Sequence, residues 1–155
     1  MFVRVAYPTE DEEVSILTRT TGAGEANIRQ VLDASDMVAI QGLVREVEIS
    51  EPLVKYIAAV VRATRPQESG LKPVQDYVRW GAGPRAGQAL VLCAKARAVL
   101  NGHYAVTLED IRSVAPSVMR HRLLVNFQAE ADGVTTDDIV DRVFQEVAEP
   151  GSPIA

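Results

Sequence analysis

Gly81-Ala82-Gly83-Pro84-Arg85-Ala86-Gly87 runs directly into the apolar stretch from Gln88 to Leu100. It reads as a loop that opens a buried helix. Gly83 is free to take a cap conformation. Pro84 suits the first helical position, because the N–H it lacks would be unpaired there in any case. Arg85 then falls in the first turn, where the dipole concentrates partial positive charge and free N–H groups point outward. A cation is disfavoured there unless an anion is shared between it and the helix end, and phosphate is the common example. The ordinary alternative is an arginine paired with a nearby carboxylate or laid along the surface with its head in water. Position alone leaves both open.

Outward from this stretch, the helix starts share one grammar. Thr9-Glu10-Asp11-Glu12 is a capping box opening a helix to about Thr20. Asp33 with Asp36, Thr107 with Asp110 and Thr135 with Asp138 repeat the spacing, and Leu32, Val106 and Val134 can staple to Met37, Ile111 and Ile139. Helical apolar spacing follows each: Met37, Ile40, Val44; then Ile111, Val114, Ala115, Val118, Met119; then Ile139, Val140, Val143, Phe144, Val147. Another helix opens at Ser50 or Glu51, with Leu53, Tyr56, Ile57, Val60, Val61 and Thr64 on one stripe. Such stripes must cover one another, so the fold class expected is mainly α, a helical bundle.

The remaining segments are shorter. Phe2 to Tyr7 alternates and reads as a strand that Pro8 ends. Nothing later reads as its sheet partner, and a lone strand does not stand by itself. The expectation is therefore that the chain begins where a larger protein has been divided. Residues 46–49 and 104–106 are short extended pieces able to pair as a small β ribbon. Pro66 to Val78 reads as a long loop, Leu123 to Gly133 stays open between helix, strand and coil, and residues 149–155 form a tail rich in Pro and Gly.

The 155 residues suit one domain with a real core, and 47% of them are hydrophobic. A net charge of −5 argues against nucleic acid as the main partner. Yet Arg79, Arg85, Lys95, Arg97, Arg112, Arg120 and Arg122 meet only Glu109 and Asp110 between positions 79 and 122. That basic middle suits an anion or an acidic neighbouring subunit, or is plain helix-surface charge. The single cysteine, Cys93, reads as a buried thiol. No run approaches membrane-spanning length and no signal peptide opens the chain, so a cytoplasmic protein is expected by default. No metal is expected, since His103, His121 and Cys93 are scattered. His103 follows the helix stop Asn101-Gly102 as a turn residue, and His121 sits between two arginines at a helix end.

Trp80-Gly-Ala-Gly-Pro-Arg-Ala resembles the sensor-2 segment of the MoxR family of AAA+ ATPases, usually written G-A-S-P-R-A, with Gly83 where the family usually has Ser. Val5-Ala-Tyr-Pro, Val44-Arg-Glu-Val, the Tyr56–Arg65 helix ending in Ala-Thr-Arg, Val106-Thr-Leu-Glu-Asp-Ile and Ala115-Pro-Ser-Val-Met-Arg-His-Arg-Leu follow the family's order. Each piece is weak singly; the ordered set spans nearly the whole chain. The resemblance implies that residues 1–8 are the last strand of a nucleotide-binding core and 9–148 a helical bundle of the AAA+ lid type. It implies that Arg85 contacts the γ-phosphate of ATP as the catalytic sensor, with Pro84 beside it, while Tyr7 and Pro8 lie near the hinge and the adenine. It also implies a ring of subunits, chaperone-like remodelling, and partners carrying von Willebrand A domains.

The chain contains no Gly-x-x-x-x-Gly-Lys-Ser/Thr and no apolar strand ending in an acidic pair. Magnesium is therefore expected on a core domain outside this sequence, and neither hydrolysis nor bound nucleotide is expected of these residues alone. A free-standing helical module that binds protein or DNA keeps the same bundle and makes Arg85 incidental.

Overall fold

The computed structural model of the chain describes residues 1–24 and 28–151. In chain order its elements are α1 (Glu10–Thr20), α2 (Ala34–Glu46), α3 (Glu51–Ala63), α4 (Lys72–Tyr77), β1 (Val78–Trp80), α5 (Pro84–Leu100), α6 (Leu108–Met119), β2 (Leu124–Val125), α7 (Phe127–Ala131) and α8 (Thr136–Glu146). All four expected capping boxes form. Thr9, Asp33, Thr107 and Thr135 each accept the N–H three residues on, and Glu12, Asp36, Asp110 and Asp138 bond back to the cap.

The long helix α5 is central. Ala86, Leu90, Ala94 and Ala98 recur every four residues and are wholly buried. Three of the four are alanines, so the backbones of α6 and α3 can come close to it. α3 contributes Tyr56, Ile57, Val60 and Val61, α6 contributes Ile111, Val114, Ala115, Val118 and Met119, and α8 contributes Ile139, Val140, Val143 and Phe144. These form one cluster, with the Tyr56 and Phe144 rings edge-on at 6.0 Å. Each fully buried Leu, Ile or Val contributes roughly 1.5–3 kcal/mol.

Several expectations are corrected. The stripe Met37, Ile40 on α2 is not core: both remain exposed, because α2 packs chiefly on α5 and these two side chains are left uncovered. Among the described residues the N-terminal segment forms no strand ladder, and the Phe2 N–H donates to Ser117 O at 2.6 Å. The stretch from Pro66 to Val78 is not all loop, since α4 occupies its second half with Pro73 in the first turn, where proline is tolerated. Between 46–49 and 104–106 a single parallel bridge forms, Glu48 with Ala105, and Val106 N–H reaches Glu48 O at 2.9 Å. The two-stranded sheet lies elsewhere: β1 and β2 pair antiparallel, Val78 opposite Val125 and Trp80 opposite Leu124, with a bulge between. The open segment 123–133 thus resolves into β2 and the short α7. Cys93 is half-buried rather than enclosed. The tail expected over 149–155 lies outside the described residues from 152 onward.

Candidate functional site

The start of α5 is built as its residues dictate. Gly83 is the N-cap, with φ −91° and ψ 179°, and Pro84 follows at the first helical position. A glycine has no side chain with which to accept the free N–H groups, and no side-chain cap bond is present. No acidic residue lies in the first turn. Among the described helices longer than two turns, α5 alone has neither an acid in that turn nor a side-chain cap. Arg85 is exposed there, and among the described residues its guanidinium makes no ion pair or hydrogen bond. Among the described residues no carboxylate pairs with it, and of the ordinary alternatives the one that matches is a side chain with its head in water.

The loop before this helix is held from the end of α3. The Ala82 N–H donates to Thr64 Oγ1 at 2.9 Å, and Arg65 Nε donates to Ala82 O at 3.1 Å. Thr64 is completely buried, and its hydroxyl donates in turn to Val61 O at 2.6 Å. Arg65 Nη1 reaches Glu68 Oε1 at 3.0 Å, while the other Glu68 oxygen meets Arg62 Nη2 at 2.9 Å. Those bonds, Arg65 first, hold the Glu68 carboxyl below its ordinary range. Gly81 lies so close to this corner that a Cβ would stand 2.5 Å from Thr64 O. Thr64 appeared in the sequence as part of an apolar stripe and in the Ala-Thr-Arg that ends the Tyr56–Arg65 helix, with no contact assigned to it. Its partner is 18 residues away, and no local pattern announces that contact.

Tyr7 and Pro8 are exposed and line an open hollow of about 590 Å³ with Val5, Ala6, Glu12, Ser15 and Ile16. Arg85 is not part of that lining, so these described residues do not bring the two expected parts of a nucleotide site into one cavity. Tyr7 is fully accessible.

A second polar centre lies at the far end of α5. Asp110 is buried and accepts from Asn101 Nδ2 at 3.1 Å, Thr107 N–H at 3.0 Å and Thr107 Oγ1 at 2.8 Å, with His103 Nδ1 at 3.3 Å. Burial pushes its carboxyl up, but the bonds from Thr107, His103 and Asn101 outweigh this and hold it below its ordinary value. Gly102, at φ 72°, makes the left-handed turn that brings His103 round. This cluster staples α5 to α6, and Arg97 Nε adds an ion pair to Asp110 Oδ1 at 3.8 Å. His103 is thus a bonded turn residue. His121 lies just past α6, where burial and then Arg122 and Arg120 lower its pKa. No group of three or more metal-ligating side chains occurs among the described residues. No described helix is long and apolar enough to cross a membrane.

Residues 72–143 match the AAA lid domain family. Across 149 residues, 96% of the chain, the sequence is 34% identical to Chaperone MoxR1 of Mycobacterium tuberculosis, of which it spans 39%. It is 31% identical over 77% of the chain to Protein MoxR of Methylorubrum extorquens, of which it spans 37%. Among solved structures it is similar to a candidate ATPase from Cytophaga hutchinsonii, with a TM-score of 0.83 and 33% identity over 93% of this chain and 44% of that one. The chain thus spans about two-fifths of the length of the curated relatives it matches.

Proposed function

From the premise that the chain is the lid domain of a MoxR-family AAA+ ATPase, we propose that it closes over ATP and presents Arg85 to the γ-phosphate as the sensor-2 arginine. The observation that carries this reading is the exposed, unpaired Arg85 in an uncapped first turn free of acids, within the segment resembling the sensor-2 motif. Two sources of positive potential, a guanidinium and a helix N-terminus, converge there on the place an anion would occupy.

The fit is to a phosphate and extends no further. Arg85 and the N–H groups of the first turn suit phosphoryl oxygens, but that turn carries no carboxylate for magnesium. The metal, the P-loop and the acidic pair belong, on this reading, to a nucleotide-binding core that the lid covers, with Tyr7 and Pro8 at the hinge beside the adenine. An arginine in that position stabilises charge on the transferring phosphoryl oxygens and couples lid angle to nucleotide state. The whole protein then works as a cytoplasmic ring that hydrolyses ATP and remodels proteins in a chaperone-like way, together with a partner bearing a von Willebrand A domain.

The test is turnover by the complete ATPase. Arg85→Ala should lower it on the order of 10²–10³-fold, the usual effect of removing one donor to developing charge. Arg85→Lys should rescue in part, because an ammonium lacks the planar fork. Normal turnover in Arg85→Ala removes the sensor role.

A further inference from the structure

Resting on the sensor reading of Arg85, we propose that Thr64 and Arg65 are positioning residues: together they clamp the Gly81–Gly83 loop and so fix the direction in which Arg85 leaves the first turn of α5. Both main-chain groups of Ala82 are held by consecutive residues of another element, the N–H by Thr64 Oγ1 and the carbonyl by Arg65 Nε. Thr64 is a fully buried polar residue, and its hydroxyl has both a donor and an acceptor use. Gly81 completes the clamp, since only the absence of a side chain lets the loop approach the Thr64 carbonyl.

The reason for such a clamp lies in the helix start. A first turn with no side-chain cap frays readily, and Gly83 provides none. Between Ala82 and Arg85 lie Gly83 and Pro84, and the proline ring fixes its own φ. Few soft dihedrals therefore separate the held residue from the arginine. The clamp replaces the missing cap from outside and leaves the helix end open to an anion.

The geometry also separates the roles of two neighbouring arginines. Arg65 spends Nε on Ala82 and Nη1 on Glu68, and Glu68 is fixed from its other side by Arg62. With Nε and Nη1 engaged within the protein, Arg65 acts through the loop. Contact with phosphate falls to Arg85.

The test compares Thr64→Val, Thr64→Ser and Arg65→Met with Arg85→Ala in the complete ATPase, measuring kcat and KM for ATP and the melting temperature of each. Thr64→Val keeps the shape and removes the hydroxyl that accepts from Ala82 and donates to Val61; Thr64→Ser keeps that hydroxyl and loses only the methyl. Thr64→Val and Arg65→Met should lower kcat on the order of 10- to 100-fold, as small misplacements of a catalytic group do, with a smaller change in KM. Thr64→Ser should retain kcat within about threefold of wild type, short of that loss. Because Thr64 acts through Arg85, adding Thr64→Val to Arg85→Ala should lower kcat no further. Independent losses in that double variant overturn the clamp, as does a fall in kcat that merely tracks the unfolded fraction. If Arg85→Ala is impaired while Thr64→Val turns over normally, the clamp alone is wrong. If Arg85→Ala turns over normally, the sensor reading fails and the clamp with it.

Discussion

Adding one methyl group at Gly81 tests the loop geometry without touching a charge. The Cβ of Gly81→Ala would lie 2.5 Å from Thr64 O, 2.6 Å from Arg65 Cα and 2.7 Å from Thr64 C. Ordinary contact begins near 3.4 Å, so the closest approach is about 0.9 Å too short. All three neighbours are main-chain atoms at the end of α3, and no side chain can rotate away. The loop must move, and the Ala82 bonds to Thr64 and Arg65 stretch with it. Overpacking of this kind costs about 1–3 kcal/mol. For a domain of this size that lowers the melting temperature by roughly 2–12 °C. Gly83→Ser, two residues on, should act in the opposite direction. Nothing lies within 4 Å of a Cβ there, and φ is ordinary. A serine hydroxyl can accept a free N–H of the first turn and stabilise by a few tenths of a kcal/mol. Paired thermal and urea melts of the two variants provide the assay. A Gly81→Ala melt within about 0.5 kcal/mol of wild type, the range of an ordinary surface change, would refute the close approach.

Three further outcomes follow from the same contacts. Arg85→Ala should leave the melting temperature of the 155-residue chain within about 2 °C of wild type, because the exposed side chain has no partner to lose; a larger fall would reveal a structural role. Leu90→Ala, at a fully buried position of α5, should cost about 2–5 kcal/mol in a urea titration, and a loss below 1 kcal/mol would contradict the central packing of that helix. Asp110→Asn should destabilise by about 1–3 kcal/mol at neutral pH, since a carboxylate receiving several bonds is replaced by an amide. The folded-state pKa of Asp110 is depressed below 3.8, so its stabilisation is present above that value and lost as pH falls through the folded-state pKa. The gap between variant and wild type should therefore narrow below about pH 4, and a gap constant from pH 7 to pH 3 would contradict the assignment.

Local chemistry was the legible part of this fold. The four capping boxes and the Gly83-Pro84 start of α5 depend on residues three apart or adjacent, and the structure forms all of them. The stripes on α3, α6 and α8 likewise reported burial correctly. Periodicity misled at Met37 and Ile40, because a stripe says which residues want a cover and not whether the chain supplies one. The short α4 was hidden by Pro73, which reads as a loop signal even at a helix start. The β1–β2 pair joins two very short runs far apart in sequence, and no alternation over so few residues can be recognised. At the site, Arg85 stood out because it conflicts with its own helix end. Thr64 and Arg65 did not, because they act on a main chain 17 and 18 residues away.

The sensor role stands on where the guanidinium of Arg85 points when ATP is held. The most direct measurement is a structure of the complete ATPase bound to a non-hydrolysable ATP analogue and magnesium. An Arg85 nitrogen is expected at hydrogen-bond distance from a γ-phosphate oxygen, about 2.7–3.2 Å. An Arg85 paired with a carboxylate, or extended into solvent with the γ-phosphate fully contacted by other residues, would contradict that role.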